Sequence, residues 1–473
     1  MDNRNTARWN KFVHDIGIYS VGNIGAKLIT FLLVPIYTYF IPDTAQFGYF
    51  DICLTATFLL SPIITLNLSS GLLRYLLDAP DNNTKQVVTT SAVQMLVRTL
   101  TISVVILLII SCFFTIKYHW LALALMLSVT ANDVYGQLAR GLGLNKVFVS
   151  IGIATAFLVT VLSLVMVALL GMGITGVFWA NILARICPII IVELRQRLLA
   201  NHLIHNIQWR EQAKQLLRYS LPLLPTVIIW WVLSFGDRWF VLWAVGAKAN
   251  GVYAVAARFT GIIYTFAIII LQAWQETAIL QYKSKDRDSF FSQIFTIFIF
   301  ALCSIIIAYT TALKICYPWL VDTHYIDSLQ YIYPMTVAAG IYSVANFLEM
   351  GYQCSQQTHR ALAPSIVTCI VNVVLNLILA PLWGCWGVIA ASTLSFIVFA
   401  IYRGIDTRRF FTLRPSSRVF APIAMLALCG IAYYAQLPWW LYLSINVTAL
   451  FFIIFSLPLQ LRKSAINKII QHH

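Results

Sequence analysis

Apolar stretches of about 20–30 residues recur along the whole chain, separated by short polar or glycine-containing breaks. An α-helix of about 20 apolar residues spans a hydrocarbon core roughly 30 Å thick. The pattern predicts fourteen helices, at about 12–41, 46–76, 85–115, 118–140, 146–171, 173–198, 213–245, 250–282, 288–315, 325–357, 360–383, 385–410, 416–436 and 437–462. The weakest divisions are the hinges around Gly171–Gly173, Gly384 and Pro438. No stretch between the apolar runs is long enough for a separate soluble domain, so the expected fold is an all-α polytopic membrane protein.

Ser220–Arg258 departs most from plain hydrocarbon-like sequence. Two apolar segments meet there at a turn over Gly246–Ala249, and Asp237, Arg238 and Arg258 interrupt them. A charge near the bilayer centre costs from about 3 to over 10 kcal/mol, so such residues face a bundle interior or a water-filled cavity. Pro222 and Pro225 remove backbone donors early in the first segment and predict a bend or break.

Composition supports the membrane reading. Of 473 residues, 60% are hydrophobic and 10% charged, against about 25% charged in soluble proteins. Met1–Lys11 is polar and basic, and the run after it ends in no small-residue cleavage pattern, so a retained first helix is expected rather than a signal peptide. The nine cysteines are scattered through apolar segments without a CxxC pair, as expected of buried thiols. A net charge of +15 in a soluble chain would suggest nucleic acid, but here its distribution follows topology. With the N-terminus inside, 24 basic residues, Arg403 among them, fall in cytoplasmic loops and termini, and only Lys117, Lys248 and Lys314 fall opposite. This positive-inside bias predicts both termini cytoplasmic.

The other five basic residues, Lys27, Arg98, Arg185, Arg238 and Arg258, lie within expected helices, as do the acids Asp51, Asp133, Asp237, Glu276 and Glu349. Snorkelling or a structural ion pair can account for any one of them. Lys27 and Arg258 have the most apolar flanks. Asp237 and Arg238 are adjacent, so they do not face each other on a helix and each needs another partner. A lobe-closing salt bridge therefore competes with a substrate role for Arg238.

A weak repeat runs through the chain. Phe47-Gly48-Tyr49 opens the second helix and Asn250-Gly251-Val252-Tyr253 the eighth; Gly173-Ile174-Thr175-Gly176-Val177 opens the sixth and Gly384-Cys385-Trp386-Gly387-Val388 the twelfth. Two parallel six-helix lobes are expected: an N-lobe over 1–198, a cytoplasmic linker over 199–212 and a C-lobe over 213–410. Residues 411–473 add helices 13 and 14 and a tail.

Three stretches carry a family resemblance: GIYSVGNIGAKLITFLLVPIYTYFIPDTAQFGYFDI, SLPLLPTVIIWWVLSFGDRWFVLWAVGAKANGVYAVAARF and GYQCSQQTHRALAPSIVTCIVNVVLNLILAPLWGCWGVIAAS. They resemble the first helical pair, helices seven and eight, and helices ten to twelve of polysaccharide-biosynthesis membrane proteins. More narrowly, the chain resembles the O-antigen or capsule flippase (Wzx-like) branch of the multidrug/oligosaccharidyl-lipid/polysaccharide (MOP) exporter superfamily. The resemblance implies a flippase of the bacterial inner membrane; no cofactor is expected, and a monomer is expected because each two-lobed chain would enclose its own cavity. It would carry undecaprenyl-diphosphate-linked repeat units to the outer leaflet by alternating access, alongside polymerase or ligase machinery. In the related lipid II flippase, cations on the first and eighth helices hold the diphosphate, and Lys27 and Arg258 occupy comparable places. Lys27 stands where an arginine is expected, keeping the charge but losing bidentate geometry.

The chemistry agrees independently, because a diphosphate crossing a low-dielectric region needs compensating cations. Arg258 and Lys27 are the first candidates for a head-group contact, and Arg98, Arg185 and Arg238 follow. Glu276, Glu349 and Asp237 are candidates for H+ or Na+ coupling, since a buried carboxylate can carry a proton or coordinate sodium. No enzyme constellation is present. The HxxH spacing of His202 and His205 lacks a further ligand, and no P-loop occurs. The alternatives are a small-solute or multidrug exporter of the same superfamily, and a membrane polymerase or glycosyltransferase. The short external loops disfavour the enzyme.

Overall fold

The computed structural model describes residues 33–113, 118–204 and 209–457, all in helices and the turns that join them. Residues 33–40 are the end of the first expected helix. There follow α1 (Thr44–Ile64), α2 (Leu68–Asp78), α3 (Asn82–Phe113), α4 (His119–Gly141), α5 (Asn145–Ser163), α6 (Gly173–Gln196), α7 (Trp209–Ser220) and α8 (Leu224–Ala244). Then come α9 (Ala247–Gln281), α10 (Arg287–Leu320), α11 (Leu329–Leu348), α12 (Met350–Cys354), α13 (Leu362–Trp383), α14 (Cys385–Asp406), α15 (Phe420–Tyr434) and α16 (Trp439–Ser456). Eleven helical segments among the described residues are long and apolar enough to cross a membrane.

Helices occupy the expected places, but several are broken where local chemistry demands it. The expected helix 46–76 is two helices. Pro62 lies near the end of α1, and Leu66 and Asn67 both take left-handed backbone, φ +52° and +54°. The expected helix 213–245 parts at a 3-10 turn over Leu221–Leu223 that contains Pro222. α5 continues into a π-helical turn over Leu164–Leu169. α10 runs to Leu320 rather than stopping near 315.

The glycine motifs have matching roles. Gly173 and Gly384, which open the two related motifs, have φ of +56° and +57°, a region that favours glycine. The second glycine of each motif lies against a preceding carbonyl. A Cβ on Gly176 would fall 3.1 Å from Met166 O, and one on Gly387 1.9 Å from Leu379 O. The other motif pair meets directly: a Cβ on Gly251 would sit 1.9 Å from Thr44 O, and one on Gly48 2.3 Å from Ala247 O. Asn250 Nδ2 donates to Gly48 O at 2.9 Å across this approach.

Two compact units emerge among the described residues. One comprises 33–239 with Ala247–Gly251, the other Phe240–Gly246 with 252–457. In the first, α4 packs on α1, α2 and α6, and α7 lies on α2 and α3. Its core gathers Leu68, Leu72, Leu138, Ile151 and Leu216. Glu193, near the end of α6, accepts from Tyr135 Oη (2.8 Å), Leu199 N (2.9 Å) and Ala200 N (2.9 Å), which stitches the following turn to α4. In the second unit, α10 packs on α11, α15 and α16, and α14 on α11 and α13. The fully buried Trp274 anchors its core, stacked on Phe347 at 4.5 Å and edge-on to Phe291 at 4.7 Å, arrangements that aromatic pairs favour.

Candidate functional site

In the first unit the expected charges are held separately. Arg238 on α8 pairs with Asp51 on α1, Nε to Oδ2 at 2.8 Å, with side chains only 11% and 4% exposed. The guanidinium also lies 5.3 Å from the Phe235 ring centroid. Nearby, Trp231 Nε1 donates to Thr55 O at 2.8 Å, and Phe58 stacks on Phe235 at 5.4 Å. The partner that adjacency with Asp237 denies to Arg238 is thus Asp51. Asp237 itself is half-buried on α8.

Arg185 on α6 turns back on its own helix, with Nη1 donating to Asn181 O (2.7 Å) and Asn181 Oδ1 (3.0 Å). Asn132 Nδ2 of α4 donates to Arg185 O at 3.3 Å. Arg98 is exposed on α3, its guanidinium 4.0 Å from the ring centroid of Trp209, a cation–π contact that joins α3 to α7. Lys27 lies outside the described residues. An apolar pocket of about 270 Å³ opens in this unit between α1, α3, α4 and α8, with Tyr49, Cys53, Leu60, Met126 and Trp239 in its wall.

In the second unit, Arg258 is half-buried on α9 and Glu276 is exposed near that helix's end. Glu349, at the junction of α11 and α12, pairs with Arg403 of α14, Oε2 to Nη1 at 3.0 Å. The Arg403 side chain is 4% exposed and that of Glu349 32%. Arg403 Nη1 also reaches Ala345 O (3.0 Å) and Asn346 Oδ1 (3.1 Å), and its guanidinium lies 3.9 Å from the Phe399 ring centroid. From Glu349 the polar line continues to Gln353 Nε2 (3.5 Å), and Gln353 Oε1 accepts from Gln275 Nε2 at 2.6 Å. A carboxylate, a guanidinium and three amides therefore form one chain from α9 to α14.

Two basic residues counted among the charges at the membrane surfaces are held by protein groups instead. Arg403, counted with the cytoplasmic charges at the end of the expected helix 385–410, is buried in the last turn of α14. Lys314 is expected to face the external side at the end of helix 288–315. Instead its Nζ donates to Tyr433 O and lies 5.0 and 4.4 Å from the ring centroids of Tyr433 and Tyr442. Aromatic faces and a carbonyl replace the water that a loop would supply.

A buried amide–hydroxyl cluster between α13 and α14 is not among the expected site residues. Asn372 Nδ2 lies 3.1 Å from both Ser392 Oγ and Ser395 Oγ, and Asn376 Nδ2 donates to Asn372 O at 3.0 Å. The one sequence signal was the i, i+4 spacing of the two asparagines, which puts them on one helix face.

Solved structures of three transporters share this architecture. The lipid II flippase MurJ, in an inward closed conformation, superposes with a TM-score of 0.67 at 13% identity, over 92% of this chain and 97% of that one. An inward-facing multidrug resistance MATE family transporter of the MOP superfamily gives 0.62 at 16% identity, over 86% and 96%. A MOP superfamily transporter from Pyrococcus furiosus gives 0.54 at 15%, over 88% and 96%. The fold thus defines a multi-pass, all-helical membrane protein of the MATE/MurJ type. No curated protein sequence matches the chain significantly. The model of the family described as "Polysaccharide biosynthesis protein" matches residues 12–275, more than half the chain, and the chain belongs to that family.

Proposed function

We propose that this protein is a flippase that moves undecaprenyl-diphosphate-linked oligosaccharide repeat units from the cytoplasmic to the outer leaflet of the bacterial inner membrane. The observation that carries the reading is the union of a polysaccharide-biosynthesis family match with a transporter fold. The substrate class follows from charge. A diphosphate entering a low-dielectric interior needs fixed cations, and Arg258 on α9 and Lys27 are the residues assigned to it. Arg98 and Arg185, whose contacts are an aromatic face and amide oxygens rather than carboxylates, are secondary candidates. Arg238 serves first as the partner of Asp51.

Coupling is assigned to the second unit. Glu349 ends a hydrogen-bonded chain that reaches α9 through Gln353 and Gln275, so protonation or Na+ binding there would be felt by the helix that carries Arg258. Asp237 and Glu276 remain the other coupling candidates. The likeness to a multidrug transporter supports a second reading, export of small solutes.

A deletion strain separates the readings. Complete lipid-linked repeat units held on the cytoplasmic leaflet are expected. Single units accumulating on the outer leaflet would indicate a polymerase, and unchanged lipid-linked sugars with new sensitivity to toxic cations an exporter. Arg258→Ala and Lys27→Ala should insert normally yet fail to restore surface polysaccharide, while Arg258→Lys retains part of it. Wild-type polysaccharide in both alanine variants at native expression would remove these residues from the binding site.

A further inference from the structure

A largely polar basin of about 1110 Å³ opens in the second unit, lined by none of the residues of the Glu349–Arg403 chain. Three short connections wall it: the α9–α10 turn, the loop after α12, and the turn after α14. Membrane-crossing segments end at Gln281 and Arg409 and begin at Arg287 and His359, so the basin lies where the bundle meets water on one face.

The lining is strongly cationic. Lys283, Lys285, Arg287, Arg360 and Arg409 contribute five positive charges against the two carboxylates of Asp286 and Asp288. Two of the guanidinium groups are already oriented. Arg287 Nε holds Asp288 Oδ1 at 2.8 Å, and Arg409 pairs with Asp406 while its Nε donates to Asp406 O at 3.0 Å. Lys283, Lys285 and Arg360 are exposed and have no ion pair among the described residues. The first turn of the 34-residue α10 forms part of the wall, and the positive end of its helix dipole adds partial positive charge. Gln356 takes left-handed backbone, φ +59°, in the loop opposite.

We infer that this basin is a binding site for a phosphate-bearing anion of two or more charges, held by Lys283, Lys285 and Arg360 with Arg287 and Arg409 as oriented forks. Guanidinium forks match phosphate oxygens two at a time, and lysines supply point charge. The basin's lining is mostly polar and sits at the boundary, so it takes the charged group and leaves any hydrocarbon to the bilayer. The shared chemistry is a phosphate group, supplied either by a lipid headgroup or by a free phosphate compound. The inference is independent of what the protein transports.

The test uses the full-length purified protein and two probes. Inorganic pyrophosphate is titrated calorimetrically into the detergent-solubilised protein, and native mass spectrometry counts phosphatidic acid retained from mixed phosphatidylcholine micelles. The variant K283Q/K285Q/R360Q removes three exposed charges, and K146Q/K214Q/R218Q, in the other unit, removes three exposed charges elsewhere. Binding of at least one probe is expected to weaken about tenfold or more in the first variant and to stay unchanged in the second, since one hydrogen bond to a charged group is worth about a factor of ten. Loss confined to pyrophosphate identifies a free phosphate ligand, and loss confined to phosphatidic acid a headgroup. Equal weakening in both variants, or no binding of either probe by the wild type, overturns the site.

Discussion

The two units bury arginine in different ways. Arg238 in the first unit and Arg403 in the second are almost equally enclosed, at 11% and 4% exposed. Arg238 relies on one carboxylate, itself only 4% exposed, and on the face of Phe235. Arg403 spreads its charge over Glu349, a backbone carbonyl, an amide oxygen and a phenyl ring, and Glu349 is 32% exposed. A buried pair that loses one member leaves an uncompensated charge, whereas an arginine with several acceptors keeps most of its solvation when one is removed. The first pair therefore acts as a rigid tie between α1 and α8, and the second leaves its carboxylate partly open to water.

The largest expected effect comes from Asp51→Ala. Stranding Arg238 costs about 3–5 kcal/mol, read as a lowered melting temperature of the purified protein. Adding Arg238→Met to that variant should recover much of the loss, since no charge is then left buried. If the single and double variants melt alike, the pair is not the tie described here.

Glu349→Gln should cost less, about 1–2 kcal/mol, because Arg403 keeps Ala345 O and Asn346 Oδ1. Combining it with Asn346→Ala should destabilise by more than the sum of the two, the mark of residues that share a partner. Additive losses would make Arg403 no different from Arg238. Glu349→Gln should also flatten the pH dependence of transport if this carboxylate carries the coupling ion; an unchanged profile would shift that role to Asp237 or Glu276.

The exposed pair of Asp322 and His324 completes the series, with side chains 23% and 58% exposed. Asp322 caps a 3-10 turn by accepting from His324 N at 3.0 Å. That backbone hydrogen bond, followed by the bond to the His324 ring, holds its carboxyl below the usual carboxylate range. A depressed folded value means the stabilisation is complete above the unfolded value, about 3.9, and is lost as pH falls through the folded one. Asp322→Asn should thus cost about 0.5 kcal/mol or less near neutrality. Its difference from wild type should close only in strongly acidic solution. A gap that closes near pH 6 would instead point to His324 as the group that matters.

Hydropathy made helix positions legible because each span must supply its own apolar length. It could not reveal what happens inside a span. The break at Leu66 and Asn67 is a backbone event, hinted at only by Pro62 and the polar Thr65. Arg403 and Lys314 read as surface charges because local sequence shows a charge and not its partners, and those partners, Glu349 and Tyr433, lie 50 or more residues away. Arg238 was ambiguous for the same reason, with Asp51 on another helix. The glycine motifs were more informative, since left-handed backbone at Gly173 and Gly384 is a local requirement written in single residues.

The π turn at Leu164–Leu169 bears on insertion and deletion. Such a turn holds one residue more than an α-helical turn. Removing one residue there lets the backbone close into α geometry while Ser163, bonded through its hydroxyl to Tyr37 at 2.9 Å, and Gly173 keep their places. The same deletion a few residues earlier, within Asn145–Ser163, would rotate every later side chain of the helix by about 100°. Chain length can therefore change by one residue at this turn with the least disturbance to the faces on either side.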